Sequence, residues 1–223
     1  MLLCALALVL AACAGDDDDK PAAEQKAASS APAEQQGRCK DVAQPTPRDG
    51  GGQTKPKQPL DASKTYEVEL RTSCGSFTIR LDQKTSPQAT ASFASLARNG
   101  FFDKTIFHRI VPDFVIQGGD PTASGTGGPG YSTRDPVPGN ASYAPGVVAM
   151  AKAGTEPAGT GGSQFFVVTG AASGLTPDYA LLGKVTKGMT VVQAIGRLGD
   201  PASGSAGTPK QSVVIEKATV RER

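Results

Sequence analysis

KTYEVELRT (64–72) and GSFTIRLD (75–82) alternate apolar and polar residues on either side of Ser73-Cys74-Gly75. A period of two broken by a turn-prone triplet is the signal of a β-hairpin with one buried face. In TSPQATASFASLARNG the period becomes helical. Ala89, Phe93, Leu96 and Ala97 share one face, Ser86 stands at the N-cap, Pro87 at the first helical position and Asn99-Gly100 at the stop. Six further short runs predict strands: TIFHRIV, FVIQG, GVVAMA, QFFVVT, YALLGKV and SVVIEKATV. Between the last two, MTVVQAIGRLG puts Val192, Ile195 and Leu198 on one side and closes on Gly199, predicting a second helix. Many short strands, two separate helices and long Gly/Pro loops imply a mainly β barrel or sandwich rather than βαβ units.

The first 60 residues follow neither period. MLLCALALVLAAC is apolar but too short for a transmembrane helix, which needs roughly 20 residues. Its length and small-residue end fit an export signal over residues 1–12. Leu10-Ala11-Ala12-Cys13 resembles a bacterial lipobox, in which Cys13 is the lipidated residue, although no Lys or Arg precedes the apolar run. AGDDDDKPAAEQKAASSAPAEQQG and the following PTPRDGGGQTKPKQP are poor in apolar residues. Such composition cannot offset the entropy of ordering, so residues 13–60 are expected to be a disordered tether and 61–223 the folded domain. The DDDDK run reads as solvated linker.

Composition narrows the chemistry. A net charge of +2 over 223 residues leaves no basic stripe, so no nucleic-acid partner is expected. No CxxC or Cys/His cluster exists, so no metal site is expected. With Cys4 in the signal and Cys13 at the lipobox, Cys39 and Cys74 remain, as a disulfide in an exported chain or as two free thiols. Gly125-Thr126-Gly127-Gly128-Pro129-Gly130 matches G-x-G-x-x-G but lies between loops rather than between a strand and a helix, and reads as a structured loop. Asn140-Ala141-Ser142 is a glycosylation sequon by pattern alone. A Ser-His-Asp hydrolase would have to use His108, the only histidine, and no serine sits in a G-x-S-x-G elbow.

IFHRIVPDFVIQGGDPT, then GGSQFFVVT, then YALLGKVTKGM, in that order and spacing, resemble the cyclophilin family of peptidyl-prolyl cis-trans isomerases. The resemblance runs from about Thr65 to the C-terminus, and the lipobox points to an exported, actinobacterial-like lipoprotein form. It implies a closed eight-stranded antiparallel β-barrel capped by two helices, with no cofactor. It implies catalysis of rotation about X-Pro bonds in exported proteins, outside the cytoplasmic membrane and held there by a lipid anchor. The implied partners are proline-containing segments, bound by a monomer.

By resemblance Arg109 is the donor to the twisting amide. Phe114, Val115, Phe166 and Leu175 wall the proline pocket, and Gln117, Gln164, Ala151 and Lys152 contact the bound peptide. His108 and Tyr179 flank the groove. Gln117 shares a strand face with Val115, and Gln164 with Phe166, while Phe165 and Val167 turn to the core. Three positions depart from the best-known members: Lys152 replaces asparagine, Tyr179 replaces histidine, and Gly174 or a neighbour stands where they carry tryptophan. The alternative function is a weakly or non-catalytic chaperone or adhesin that only holds Pro-containing segments.

Overall fold

A computed structural model describes residues 38–170 and 174–223. The expected signal peptide, Cys13 and the tether as far as residue 37 lie outside the described residues. The hairpin forms as the alternation predicts: β1 (Tyr66–Thr72) pairs with β2 (Gly75–Leu81). Helix α1 (Pro87–Arg98) follows, then β3 (Thr105–Ile106), β4 (Arg109–Val111), β5 (Val115–Gly118), β6 (Thr133–Arg134), β7 (Val147–Met150), β8 (Thr160–Gly161) and β9 (Phe165–Val168). After β10 (Leu181–Lys187) come α2 (Met189–Gly196), a kinked 3₁₀ segment (Pro201–Ala206) and β11 (Val214–Glu222).

The main sheet is antiparallel throughout, in the order β3-β11-β1-β2-β10-β7-β9-β5-β4. Its two edge strands are halves of one stretch, TIFHRIV, which sequence pattern predicts as a single strand. Thr105 and Ile106 pair with β11, whereas Arg109–Val111 pair with β5. Phe107 and His108 form the crossing between these two neighbours, which is why the strand is interrupted. Ile106 also bridges to Asp120, just past β5. The sheet thus curls until its edges meet, and with β3 and β4 counted as one interrupted strand it has the eight strands expected. The small pair β6–β8 lies outside that sheet and has no period-two signal in the sequence.

Inside, Phe77, Phe93, Phe102, Phe107 and Phe165 form the centre of the main core with Val191, Val192 and Ile195 of α2. Phe93 meets Phe165 edge-on with ring centroids 5.2 Å apart. Each such ring contributes roughly 1.5–3 kcal/mol by leaving water. Ser86 occupies the N-cap of α1 as predicted, but its side chain makes no capping bond. Asp135 caps instead, its carboxylate accepting from the Gln88 and Ala89 amides at 3.0 and 2.7 Å.

Residues 38–60 correct the expected tether. They have no regular secondary structure, yet they lie as a strap along the domain. Cys39 is disulfide-bonded to Cys74 in the β1–β2 turn, and the Lys40 amide donates to the Ser73 carbonyl at 2.9 Å. Further along, the Arg48 amide donates to Pro121 and the Gln53 amide to Pro129. The Arg48 guanidinium donates to the Phe101 and Asp103 carbonyls. Composition argued against order here because the strap has little apolar surface. It is held by a covalent bond and by backbone hydrogen bonds, which composition does not register. Among the described residues no helix is long and apolar enough to cross a membrane.

Candidate active site

Register builds the site. Arg109 of β4 lies directly opposite Gln117 of β5, Gln117 opposite Phe166 of β9, and Phe166 opposite Ala149 of β7. In an antiparallel sheet directly opposed residues share a face, so these side chains form one row across the outside of the barrel. Their chain neighbours Ile110, Ile116, Phe165 and Val148 belong to the inner core. Around the row is a second apolar cluster of Val115, Tyr143, Ala149, Phe166 and Val168, against which Phe114, Ala151, Leu175 and Tyr179 pack.

Arg109 Nη1 donates to Gln117 Oε1 at 3.3 Å, and Arg109 Nε to the Ser205 carbonyl at 3.0 Å. Gln117 Nε2 donates to Gln164 Oε1 at 3.0 Å, and Gln164 Nε2 donates to the carbonyls of Gly125 and Gly127 at 2.9 and 3.0 Å. The glycine loop is in turn shaped by Asp120. Its carboxylate accepts from the amides of Thr122, Gly125 and Gly127 at 2.7, 2.6 and 3.1 Å, and from the Thr122 hydroxyl at 2.7 Å. A relay of polar groups therefore runs from buried Asp120 through the glycine loop to the guanidinium, whose Nη2 has no partner among the described residues.

Two adjoining hollows open on this row. One of about 270 Å³ is lined by Arg109, Phe114, Val115, Gln117, Ala151, Lys152, Phe166, Leu175 and Tyr179. Nine residues expected at the site by resemblance thus meet in one place. The second, of about 560 Å³, shares Gln117, Ala151 and Lys152 with the first and continues past Gln164 and Gly125–Ser132 to Glu156 and Asp49. Among the expected residues His108 alone lines neither hollow; its ring lies against Gly125.

The electrostatics follow from burial. Desolvation lowers the Arg109 guanidinium from its ordinary value, but a guanidinium starts so far above neutrality that it stays charged. Burial also holds the His108 imidazole below 6.5, with Asp120 opposing, Arg109 reinforcing and Gln164 opposing this in turn. Among the described residues neither His108 ring nitrogen has a partner at hydrogen-bond geometry; the Gln164 amide beside it donates to the two loop carbonyls. A neutral, unpartnered imidazole suits packing and offers no carboxylate-oriented base. Lys152 is nearly buried; its ammonium pairs with Asp178 at 2.7 Å and lies 5.7 Å from the Tyr179 ring centre.

Several residues that shape the site were missed from sequence. Tyr143 forms the floor, stacked edge-on with Tyr179. Its hydroxyl donates to the Tyr179 carbonyl at 2.7 Å and accepts from the Tyr179 amide at 3.0 Å. Ser205 positions Arg109 through a backbone carbonyl, which carries no sequence signal at all. Asp120 stands beside a glycine-rich loop, and that juxtaposition is a signal that could have marked it.

The row of guanidinium, carboxamide and ring thus borders a hollow of about 270 Å³ on the outside of the barrel. Comparison with known proteins identifies the class. Residues 67–220 match the family described as cyclophilin type peptidyl-prolyl cis-trans isomerase, and the chain belongs to that family and is an isomerase of that type. It is 39% identical over 158 residues to peptidyl-prolyl cis-trans isomerase-like 1 of Neurospora crassa, covering 69% of this chain and 93% of that protein. It is 37% identical over 158 residues to peptidyl-prolyl cis-trans isomerase CYP18-2 of Arabidopsis thaliana, with the same two coverages. A cyclophilin type isomerase of Cryptosporidium parvum, crystallised in the presence of the dipeptide Ala-Pro, is similar with a TM-score of 0.62 at 29% identity, over 70% of this chain and 98% of that one.

Proposed function

We propose that the chain turns X-Pro bonds in exported proteins, with Arg109 as the donor that stabilises the twisted amide. Rotation is slow because it sacrifices amide resonance over a barrier of roughly 18–20 kcal/mol, taking about 10–100 s unaided. As the bond twists, the prolyl nitrogen pyramidalises and its lone pair becomes a hydrogen-bond acceptor. A donor aimed at that lone pair binds the transition state and not the planar ground state, and only such differential contacts accelerate a step. The observation that carries this reading is Arg109 itself, held by Ser205 and Gln117 in the hollow it lines with Phe114, Val115, Phe166 and Leu175. Phe114, Val115, Phe166 and Leu175 receive the ring, Tyr179 closes the side, and Gln117, Gln164, Ala151 and Lys152 hold the flanking backbone. His108 packs beneath the glycine loop.

Arg109→Ala tests it. Loss of one transition-state donor typically costs about 10²–10³-fold in rate, so kcat/KM on a Pro peptide in a protease-free assay should fall by that order with the far-UV spectrum unchanged. Turnover equal to wild type would refute the assignment of Arg109. Binding without turnover in the wild type would make the protein a Pro-segment chaperone or adhesin.

The extracytoplasmic setting is part of the same proposal. A disulfide between Cys39 and Cys74 suits an oxidising compartment, and the LAAC sequence ahead of the strap suits a lipid on Cys13. A diacylated cysteine with a further acyl chain anchors stably, where a single chain does so only marginally. Cys13→Ser should therefore move the protein from the membrane to the soluble fraction; continued membrane association would exclude the anchor.

A further inference from the structure

The strap crosses the domain beside the groove, at the glycine loop. Gly50 is buried there, and a Cβ on it would stand 2.3 Å from Pro121 Cγ and 2.8 Å from the Gly128 carbonyl. Gly130 is fitted against the strap in return: it has φ +87, and its Cβ would stand 2.8 Å from the Gly52 amide nitrogen. With the Arg48 and Gln53 amides bonded on either side, the strap backbone is fitted closely against Pro121, Phe101 and the glycine loop, which fixes its register. Asp49 and Gly51 of the strap line the larger hollow together with Ala151–Ala153, Gln117 and Gln164.

The charges lining this hollow are Asp49, Glu156 and Lys152. Lys152 is committed to Asp178. Glu156 accepts from the Ala153 amide at 2.6 Å and Asp49 from the Gly51 amide at 2.9 Å, neither of which cancels a carboxylate charge. Among the other cations, Arg109 belongs to the smaller hollow, where it donates to Gln117 and the Ser205 carbonyl, while Arg48 donates to the Phe101 and Asp103 carbonyls and Lys55 to the Ser132 carbonyl at 3.0 Å. A peptide whose proline occupies the smaller hollow must carry a neighbouring side chain into or past this one, because the two share Gln117, Ala151 and Lys152. We infer that strap residues 48–53 are a wall of the substrate groove and that Asp49 there selects substrates with a basic side chain close to the proline. The inference rests on the groove being the isomerase site.

The test uses the full chain and an uncharged Ala/Pro peptide in which one Lys or one Glu is walked through three positions on either side of the proline. Binding is read by fluorescence anisotropy and turnover in parallel. At one position Lys should bind about two- to fivefold more tightly than Glu, the range of a partly exposed ion pair. Asp49→Asn should bring that ratio close to one, and Asp49→Lys should invert it. Gly50→Val, which unseats the strap, should also flatten it. No Lys/Glu difference at any position, or a ratio that survives Asp49→Asn, overturns the inference. A ratio that behaves as stated in a protein without turnover upholds the strap subsite and removes the isomerase reading instead.

Discussion

Asp120 is fully buried and holds the glycine loop in place. Burial alone would raise its carboxyl, but the hydrogen bonds from Thr122, Gly127 and Gly125 outweigh that and hold it below 3.8. The folded chain therefore keeps the carboxylate while the unfolded chain takes up a proton first. The stability this confers is complete above the ordinary carboxylate value and is lost as pH falls through the lowered one. Asp120→Ala leaves three part-buried amides without their acceptor and should cost about 1–3 kcal/mol at pH 7 by urea unfolding. The gap between variant and wild type should narrow below about pH 4, as protonation removes the same interaction from the wild type. Equal stability of the two at pH 7 would contradict the role. Because the loop carbonyls hold Gln164, the variant's KM should rise more than its kcat falls. At this scale the sequence was legible where alternation applies: Gln117 and Phe166 face the groove while Ile116 and Phe165 face the core. It was silent on Tyr143, which belongs to no strand and reaches the site through a long loop.

Elements were legible in proportion to how local their causes are. Both helices and the first hairpin carry their own periodicity, so α1, α2, β1 and β2 stand where the pattern puts them. TIFHRIV also has strand chemistry, but its interruption at Phe107–His108 depends on which neighbour each half meets, β11 or β5. The cap of α1 makes the same point. Ser86 is the residue that local rules favour, and its hydroxyl is buried without a partner. Asp135, nearly 50 residues on in the chain, supplies a full negative charge at the helix N-terminus, where the macrodipole favours an anion more than a neutral hydroxyl. Residues that act across the chain leave no mark on the local pattern. The strap is the extreme case: a segment with the composition of a linker that takes its order from a partner 35 residues away.

That partner decides how the molecule behaves as a whole. A cross-link spanning 35 residues restricts the unfolded chain by an amount worth about 3–4 kcal/mol, which grows with the logarithm of loop length. Two regimes are distinguishable. If strap and barrel unfold together, Cys39→Ala with Cys74→Ala should lower Tm by on the order of 10 °C, at about 2–4 °C per kcal/mol for a domain of this size. If the strap detaches by itself, Tm should hold while the strap loosens locally. The hydrogen bonds from the Arg48 and Gln53 amides to Pro121 and Pro129 report on this directly, since local opening exposes them to exchange without unfolding the barrel. The seating of Gly50 against Pro121, Phe101 and the Gly128 carbonyl connects strap and glycine loop, and the glycine loop connects to Gln164. Cooperative unfolding is therefore the expected regime, with both amides exchanging only as slowly as the barrel core in the bridged protein. The unbridged pair variant should show the lower Tm and, below it, faster exchange at Arg48 and Gln53 than at the core. A Tm within about 2 °C of wild type together with unchanged exchange at both amides would mean that the bridge holds nothing the backbone contacts do not already hold.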